Sequence, residues 1–425
     1  MDVIVFEDRV VERLGPLTDA RPACDLLVGA TTLAETLARF GPVRRLLRPH
    51  LARHVAAVAG RRIAAWGIDV SEPPPSAAAS TRGRRMLLVN ARVVPSRENV
   101  AALRSLVESG RHGVVPAETG VAAAVLPVAA GSGGISLVGI ESLLGNQPPD
   151  ARIDVAIEMV AAPHEILSAH ERSIEGSLAM HVDTGRFRET RPGLHVAAGA
   201  KVADGVVVRQ GPVVVDSEAD IGPFVCLDGP IWIGHGTRVN PHAWIRAGTA
   251  IGRHCRVGGE IEASVLEPFS NKAHGGFVGH SHVGSWVNIA AGTITSNLKA
   301  TYGPVRLHDV RPDGSRETTH TNRQFMGALV GDFTRTGINA SIPCGARIGV
   351  ASTVGGTVPE QVAAFTNQLV GGPPGTRTTA EQAAIVLGRM MARRGIAFHE
   401  ADRELLESLA AEAAAAAGRP DGPPA

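Results

Sequence analysis

Between about residue 190 and residue 370, aliphatic side chains recur at every sixth position, and nothing else in the chain constrains its fold as tightly. Val196, Val202, Val208 and Val214 open the series. After a one-residue slip it runs on through Val215, Ile221, Leu227, Ile233, Val239, Ile245, Ile251 and Val257. Glycine often follows the aliphatic, as in Ile221-Gly222, Ile233-Gly234 and Ile251-Gly252. Phe277, Val283 and Ile289, and later Ile342, Ile348 and Val354, keep the spacing. A helix repeats near 3.6 residues and a strand alternates at two, so sixes fit neither alone. They fit a triangular coil in which each hexad supplies one short strand and one corner, with the aliphatic pointing inward. A single turn of such a coil cannot bury its own core, so turns must stack. The 49 glycines suit the many tight corners, and the 4% aromatic content suits a narrow interior. The expectation is a parallel β-helix over residues 189–372.

Two segments interrupt the series. Glu267 to Gly276 contains Ser270-Asn271-Lys272-Ala273-His274-Gly275-Gly276, and Tyr302 to Arg323 reads as a projecting hairpin turning at Pro312-Asp313-Gly314. Insertions in a solenoid cluster where ligands bind. Ahead of the coil, residues 1–188 have mixed α/β texture. Strands are expected at Val3–Phe6 and Met86–Val89, helices at Thr32–Phe40 and Pro163–Met180, and loops at Ser71–Arg84 and Gly131–Gly134. Behind the coil, Gly371-Gly372-Pro373-Pro374-Gly375 is a breaker, and residues 373–425 read as C-terminal helices with a disordered tail from Gly418. Thr378-Thr379-Ala380-Glu381 predicts a capping box for a helix that packs Ile385, Leu387, Met390 and Met391, followed by a second helix over Glu400–Ala417.

Composition excludes several classes. A formal net charge of +1 gives no electrostatic reason for nucleic acid or an anionic membrane as partner. The four cysteines, Cys24, Cys226, Cys255 and Cys344, are far apart and form no CxxC pair, which disfavours a disulfide framework and fits a reducing, cytoplasmic location. No apolar run is long enough to span a membrane, and the acidic start does not resemble a signal peptide.

The stretch NKAHGGFVGHSHVGSWVNIAAGTITSNLKATY, Asn271 to Tyr302, resembles the acyltransferase half of the bifunctional enzymes that make UDP-N-acetylglucosamine. The resemblance implies hexapeptide repeats wound as a left-handed parallel β-helix, a homotrimer, and acetyl-CoA as acyl donor. It makes His274 the counterpart of the family's catalytic histidine, one residue closer to the lysine than in the family. Lys272 matches that preceding lysine, and its charge suggests a sugar-phosphate contact. Asn288 and Asn297 match asparagines lining the sugar and acyl-CoA sites. Phe277 and Leu298 stand where the family has tyrosines, which leaves the acceptor sugar open, because a buried substrate hydroxyl without its partner is costly. The chemistry is sound apart from the family. Acyl transfer from a thioester needs a base near neutrality for the attacking amine or hydroxyl, and histidine titrates there. His280 and His282, two apart, suggest a metal pair on one strand face, but no further ligand has diagnostic spacing; they read as polar strand or interface residues, and no metal is expected. Trp232, Trp244 and Trp286 read as packing or subunit-contact residues rather than a stacking platform.

The N-terminal region resembles sugar nucleotidyltransferases at Arg13-Leu14-Gly15-Pro16-Leu17-Thr18 and at Leu87-Leu88-Val89-Asn90-Ala91-Arg92. The family's glycine-rich loop is absent, since Glu7-Asp8-Arg9-Val10-Val11-Glu12 stands in its place. So is the aspartate of its Gly-Asp step, which holds Mg²⁺. Arg9, Arg13 and Arg21 are candidate phosphate contacts. The whole chain is similar to a divergent bacterial group of sugar nucleotidyltransferases. Three readings follow: acyl transfer from acyl-CoA to an amino sugar phosphate or sugar nucleotide; a bifunctional enzyme that also transfers a nucleotidyl group with Mg²⁺; and a non-catalytic sugar-nucleotide-binding scaffold.

Overall fold

The computed structural model describes residues 1–66, 85–128, 136–310, 315–369 and 376–417. The loops expected at Ser71–Arg84 and Gly131–Gly134, the turn Pro312–Gly314, the breaker Gly371–Gly375 and the tail from Gly418 lie outside the described residues.

The N-terminal domain is a five-stranded sheet in the order β2-β1-β3-β5-β4, with β1 Asp2–Phe6, β2 Val43–Leu46, β3 Arg85–Asn90, β4 Gly113–Ala117 and β5 Gly120–Pro127. Strands β1, β2 and β3 are parallel; β5 runs antiparallel to β3 and β4. The helices α1 Leu33–Leu37, α2 Pro49–Trp66, α3 Arg97–Glu108, α4 Leu137–Gly145 and α5 Pro163–Val182 surround it. Their starts follow local chemistry. Thr32 caps α1 in a reciprocal box with Glu35, Ser96 caps α3, and Pro163 opens α5 at a position where its missing N–H costs nothing.

From Phe187 the chain enters the coil. One face stacks Leu194–Ala197, Val213–Val215, Ile231–Ile233, Thr249–Ile251, Val265–Leu266, His282–Val283, Leu329–Val330, Arg347–Ile348 and Gln361–Val362 in parallel. A second face begins Lys201–Val202, Asp220–Ile221, Arg238–Val239, Arg256–Val257 and Asn271–Lys272, and a third includes Cys226–Asp228, Trp244–Ile245, Glu260–Glu262, Phe277–Gly279 and Ile294–Thr295. The hexad aliphatics fill the interior: Val215, Ile221, Leu227, Ile233, Val239, Ile245, Ile251 and Val257 are all buried in one cluster. Corners take left-handed backbone, with φ of +61° at His242, +47° at His280 and +55° at Trp286.

Three details depart from the six-residue reading. Val214 faces outward against Ile174 and Leu178 of α5, and Val196 is level with Val215. Val278, not Phe277, enters the core, because Ile261 is in register with Val278. Glu267–Gly276 is no interruption: Asn271–Lys272 pairs with Arg256–Val257 as an ordinary rung.

The N-terminal domain lies along the first coil face, where Leu27, Ala30, Ile174 and Leu178 pack on Val214, Trp232, Ala250 and Val265. Trp232 stacks on His181 at 4.4 Å, and Trp286 on Phe269 at 4.4 Å, both as packing. The expected hairpin forms from Arg306–Val310 and Arg316–His320, with Arg306, Glu317, Thr318 and His320 exposed. Val305 and Leu307 at its base are buried in the core of the N-terminal domain, and Arg323 bonds Ser168 and Glu171 of α5. Helices α6 Ala380–Ala392 and α7 Glu400–Ala417 complete the chain. The box that caps α6 is shifted by one residue: Thr379 and Gln382 form it rather than Thr378 and Glu381. Leu387 and Met391 are buried while Ile385 is exposed, and α7 packs with α2.

At the junction Arg21 is buried between the two domains. Its Nε and Nη2 grip Asp332 at 3.1 and 2.8 Å, and its Nη1 lies 2.7 Å from Glu267 Oε2. Glu267 Oε1 also accepts from the Leu27 N–H and pairs with His282 Nε2, both at 2.9 Å. Arg21→Ala would strand two buried carboxylates. Breaking a buried pair costs about 3–5 kcal/mol, so urea unfolding of this variant should show a loss of that size.

Candidate functional site

The histidine singled out by sequence sits at the corner between the second and third coil faces. Lys272 ends the strand on one side, Phe277 opens the strand on the other, and His274 is exposed between them. The turn exists because Ala273, His274, Gly275 and Gly276 must carry the chain around a corner without a bulky side chain. Gly276 has φ +126°, and a Cβ there would come within 2.3 Å of the Thr293 carbonyl oxygen.

Lys272 occupies an inward position. The rung before places Val257 there, and Asn271 bridges to Asn288 so that Ile289 follows. The side chain is fully buried, and Nζ donates to the backbone carbonyls of Gly258 at 3.1 Å and His274 at 2.5 Å. Burial pulls its pKa from the ordinary 10.5 down to about 8. The ammonium is thus occupied by backbone oxygens and turned away from the surface where a phosphate contact was expected of its charge.

The other motif residues fall into two groups. Asn288 lies on the second face beside Lys272 and accepts at Oδ1 from Asn271 Nδ2 at 2.7 Å. Asn297 lies at the opposite end of the third face, 3.0 Å from His280 Nδ1. The tip of the Phe277 ring reaches the same place: a Cβ on Gly279 would sit 2.3 Å from Phe277 Cζ and 2.8 Å from Asn297 Nδ2. Phe325 stacks on His280 at 5.2 Å. Burial lowers the pKa of His280 to about 4, so its ring is neutral near pH 7. From the sequence alone His280 is a candidate metal ligand or a polar strand or interface residue. Its contact with Asn297 was signalled by nothing in the spacing, because the two meet across neighbouring rungs. His282 does not share a face with it. The corner at His280 turns the chain, and His282 is fully buried beside Glu267. Among the described residues no group of three or more His, Cys, Asp or Glu side chains is arranged to hold a metal.

The N-terminal domain has its own natural crevice. In an open sheet, ligands bind outside the carboxyl ends of the strands where strand order reverses. Here that point lies between β1 and β3, where Asp8 follows one strand and Ala91-Arg92 the other. By the motif resemblance, Arg92 stands where a Gly-Asp aspartate is expected. Its guanidinium is fully buried, and all five N–H groups are engaged. Nε and Nη2 bond the two Asp8 oxygens at 2.9 and 2.7 Å. Nη1 reaches Thr119 Oγ1 and the Val160 carbonyl, and Nη2 also reaches the Thr119 carbonyl. Asn90 Nδ2 adds a bond to Asp8 at 2.8 Å. The void beside Arg92 measures about 20 Å³, room for one water. A cation in place of the carboxylate, and a carboxylate with both oxygens occupied, do not fit Mg²⁺. Nor do the arginines converge. Arg9 is 90% exposed and 4.0 Å from Glu141, Arg13 is exposed, and Arg21 is committed to Glu267 and Asp332.

Residues 3–181 match the model of a family described as sugar nucleotidyl transferase. Among curated proteins the chain is similar to the bifunctional protein GlmU of Cyanothece sp., 27% identical over 179 residues that make up 41% of this chain and 37% of that protein. It is also similar to GlmU of Acaryochloris marina, 28% identical over 46% of this chain and 40% of that one. GlmU of Cupriavidus pinatubonensis is 34% identical over 27% and 25%. The chain thus spans less than half the length of these relatives. The resemblance expected from the motifs is borne out at this level. Among solved structures, the acetyltransferase domain of PglB from Neisseria gonorrhoeae in complex with acetyl coenzyme A is 12% identical over 83% of this chain and 96% of that one, with a TM-score of 0.20. LpxA from Acinetobacter baumannii is 16% identical over 47% and 77%, also with a TM-score of 0.20.

The buried ammonium makes a stability prediction. Below pH 8 the folded chain carries the proton at full desolvation cost, and above about 10.5 neither state carries it. Between these values the unfolded chain binds more protons, so stability rises with pH. Compared with Lys272→Met, the wild type should therefore gain in Tm as pH goes from 8 to 10, and a constant difference between the two proteins would contradict this.

Proposed function

We propose that the protein transfers an acyl group, with acetyl-CoA as the donor, to an amino sugar phosphate or a sugar nucleotide, and that His274 is the general base. The observation that carries the reading is the exposed His274 on a fixed coil corner, inside a stretch that matches acyltransferases from Lys272 to Asn297. The curated relatives, named as bifunctional proteins, and the family matched by residues 3–181 support a transferase that handles sugar substrates. His274 would take the proton from the attacking amine or hydroxyl as it adds to the thioester carbonyl. The CoA thiolate would then leave and be protonated.

The working form would be a homotrimer. Phe224, 62% exposed, and Ile338, 70% exposed, lie at the same kind of corner as His274 on rungs before and after it, and Ile294 on the third face is 51% exposed. Exposed apolar residues flanking a polar site suit a second coil packed alongside. The first coil face is already covered by the N-terminal domain, so the neighbour would use the other two. Two asparagines, Asn288 and Asn297, would line the cleft.

The N-terminal domain would not transfer nucleotides. Its likeness to nucleotidyltransferases supports a shared sheet, while the Asp8–Arg92 pair fills the position of the metal-binding carboxylate.

The test is turnover by the purified protein, with acetyl-CoA and a panel of amino-sugar 1-phosphates in one series and nucleoside triphosphates, Mg²⁺ and sugar 1-phosphates in another. Thiol release without pyrophosphate is expected. A general base is worth about 10²–10⁴-fold, so His274→Ala should lower thiol release by that factor while the sedimentation profile stays that of the wild type. Pyrophosphate release would overturn the reading of the N-terminal domain, and full activity in His274→Ala would remove His274 as the base.

A further inference from the structure

Four consecutive carbonyl groups of the turn that carries His274 are each held by a different donor. The Ala273 oxygen accepts from Asn240 Nδ2 at 2.8 Å, and the His274 oxygen from Lys272 Nζ at 2.5 Å. The Gly275 oxygen accepts from the Gly292 N–H at 2.9 Å, and the Gly276 oxygen from the Glu260 N–H at 3.1 Å. The last two donors are rungs of the coil and would be present with any side chains. The first two are side chains and belong to this sequence.

The turn has little else to hold it. His274 and Gly275 are exposed, and no atom lies within 4 Å of where a Cβ on Gly275 would be. Close packing against neighbouring rungs is confined to the two ends of the turn, at Ala273 and Gly276, and leaves the His274–Gly275 step without it. Lys272 is also an expensive choice for its position. It interrupts an aliphatic column between Val257 and Ile289, is fully buried, and forms no ion pair among the described residues. An aliphatic residue there would continue the interior without the cost of desolvating a charge. What the ammonium adds is the bond to the His274 carbonyl, together with that to Gly258.

We propose that Lys272 and Asn240 are positioning residues: Lys272 from inside the coil and Asn240 from a preceding rung clamp the 273–276 turn so that the His274 ring is presented in one fixed orientation, without themselves touching substrate. The catalytic half of this inference rests on the reading of His274 as the base; the structural half does not. It reassigns Lys272 from the substrate to the scaffold behind the base, where preorganisation is supplied.

The test uses full-length Lys272→Met and Asn240→Ala, compared with wild type in thiol-release kinetics and in backbone amide exchange across residues 273–277. Displacing a reacting group by an ångström can cost about 100-fold in rate. Each variant should therefore lose roughly 10- to 100-fold in kcat, with KM for acetyl-CoA and acceptor within about twofold, and exchange in this segment should speed up. A rise in KM at unchanged kcat would mean that Lys272 contacts substrate, and would overturn the proposal. Unchanged exchange in both variants would overturn it as well. If Lys272→Met does not fold, Asn240→Ala alone carries the test, since its side chain is only partly buried. Should His274→Ala prove fully active, the proposed base fails, and faster exchange in the two variants would still establish the clamp.

Discussion

The buried guanidinium of Arg21 ties together parts of the chain that are more than three hundred residues apart in sequence. One group satisfies Asp332 and Glu267 on different rungs of the coil, and Glu267 in turn holds Leu27 and His282. A buried arginine with bidentate geometry is suited to this, because its rigid fork leaves few orientations free. The first coil face is thereby committed to the N-terminal domain. The His274 corner lies away from that face, between the two that remain open. The same contact explains why this arginine is not available to a ligand.

The N-terminal domain separates fold from function. Its residues 3–181 match the sugar nucleotidyl transferase family model, and its sheet has parallel β1 and β3. The crevice at the strand ends is nevertheless closed by Asp8 and Arg92. Sites are grafted onto folds and can be lost while the fold persists. The domain also has a packing role: it covers a coil face, receives the hairpin base and packs α2 against α7.

The coil was legible because its physics is periodic. Residues pointing into a narrow prism are apolar wherever no special polar contact is made, and the rungs from Val215 to Val257 obey this with constant spacing. Legibility failed where the spacing changed. Phe277 satisfies a six-residue count, yet Val278 is the buried residue, because the preceding rungs are shorter than eighteen residues per turn. Lys272 shows a related limit. A lysine in a glycine-rich segment looks like a surface cation, and only the register of Asn271–Lys272 on Arg256–Val257 shows that it points inward. Asn297 and His280 meet through the stacking of rungs, which no local pattern encodes. Around the candidate site, the chemistry of individual residues could be read from the sequence, but their direction could not.

The hairpin base has a consequence for how the chain folds. Val305 and Leu307, which belong to the coil by sequence, are buried in a cluster with Val5, Leu14, Leu87 and Leu167. The core of the N-terminal domain is therefore incomplete until residues more than a hundred positions beyond its last helix have arrived. During synthesis that core stays partly open while most of the coil emerges, so the two regions cannot mature as independent units, and unfolding either one exposes apolar surface belonging to the other.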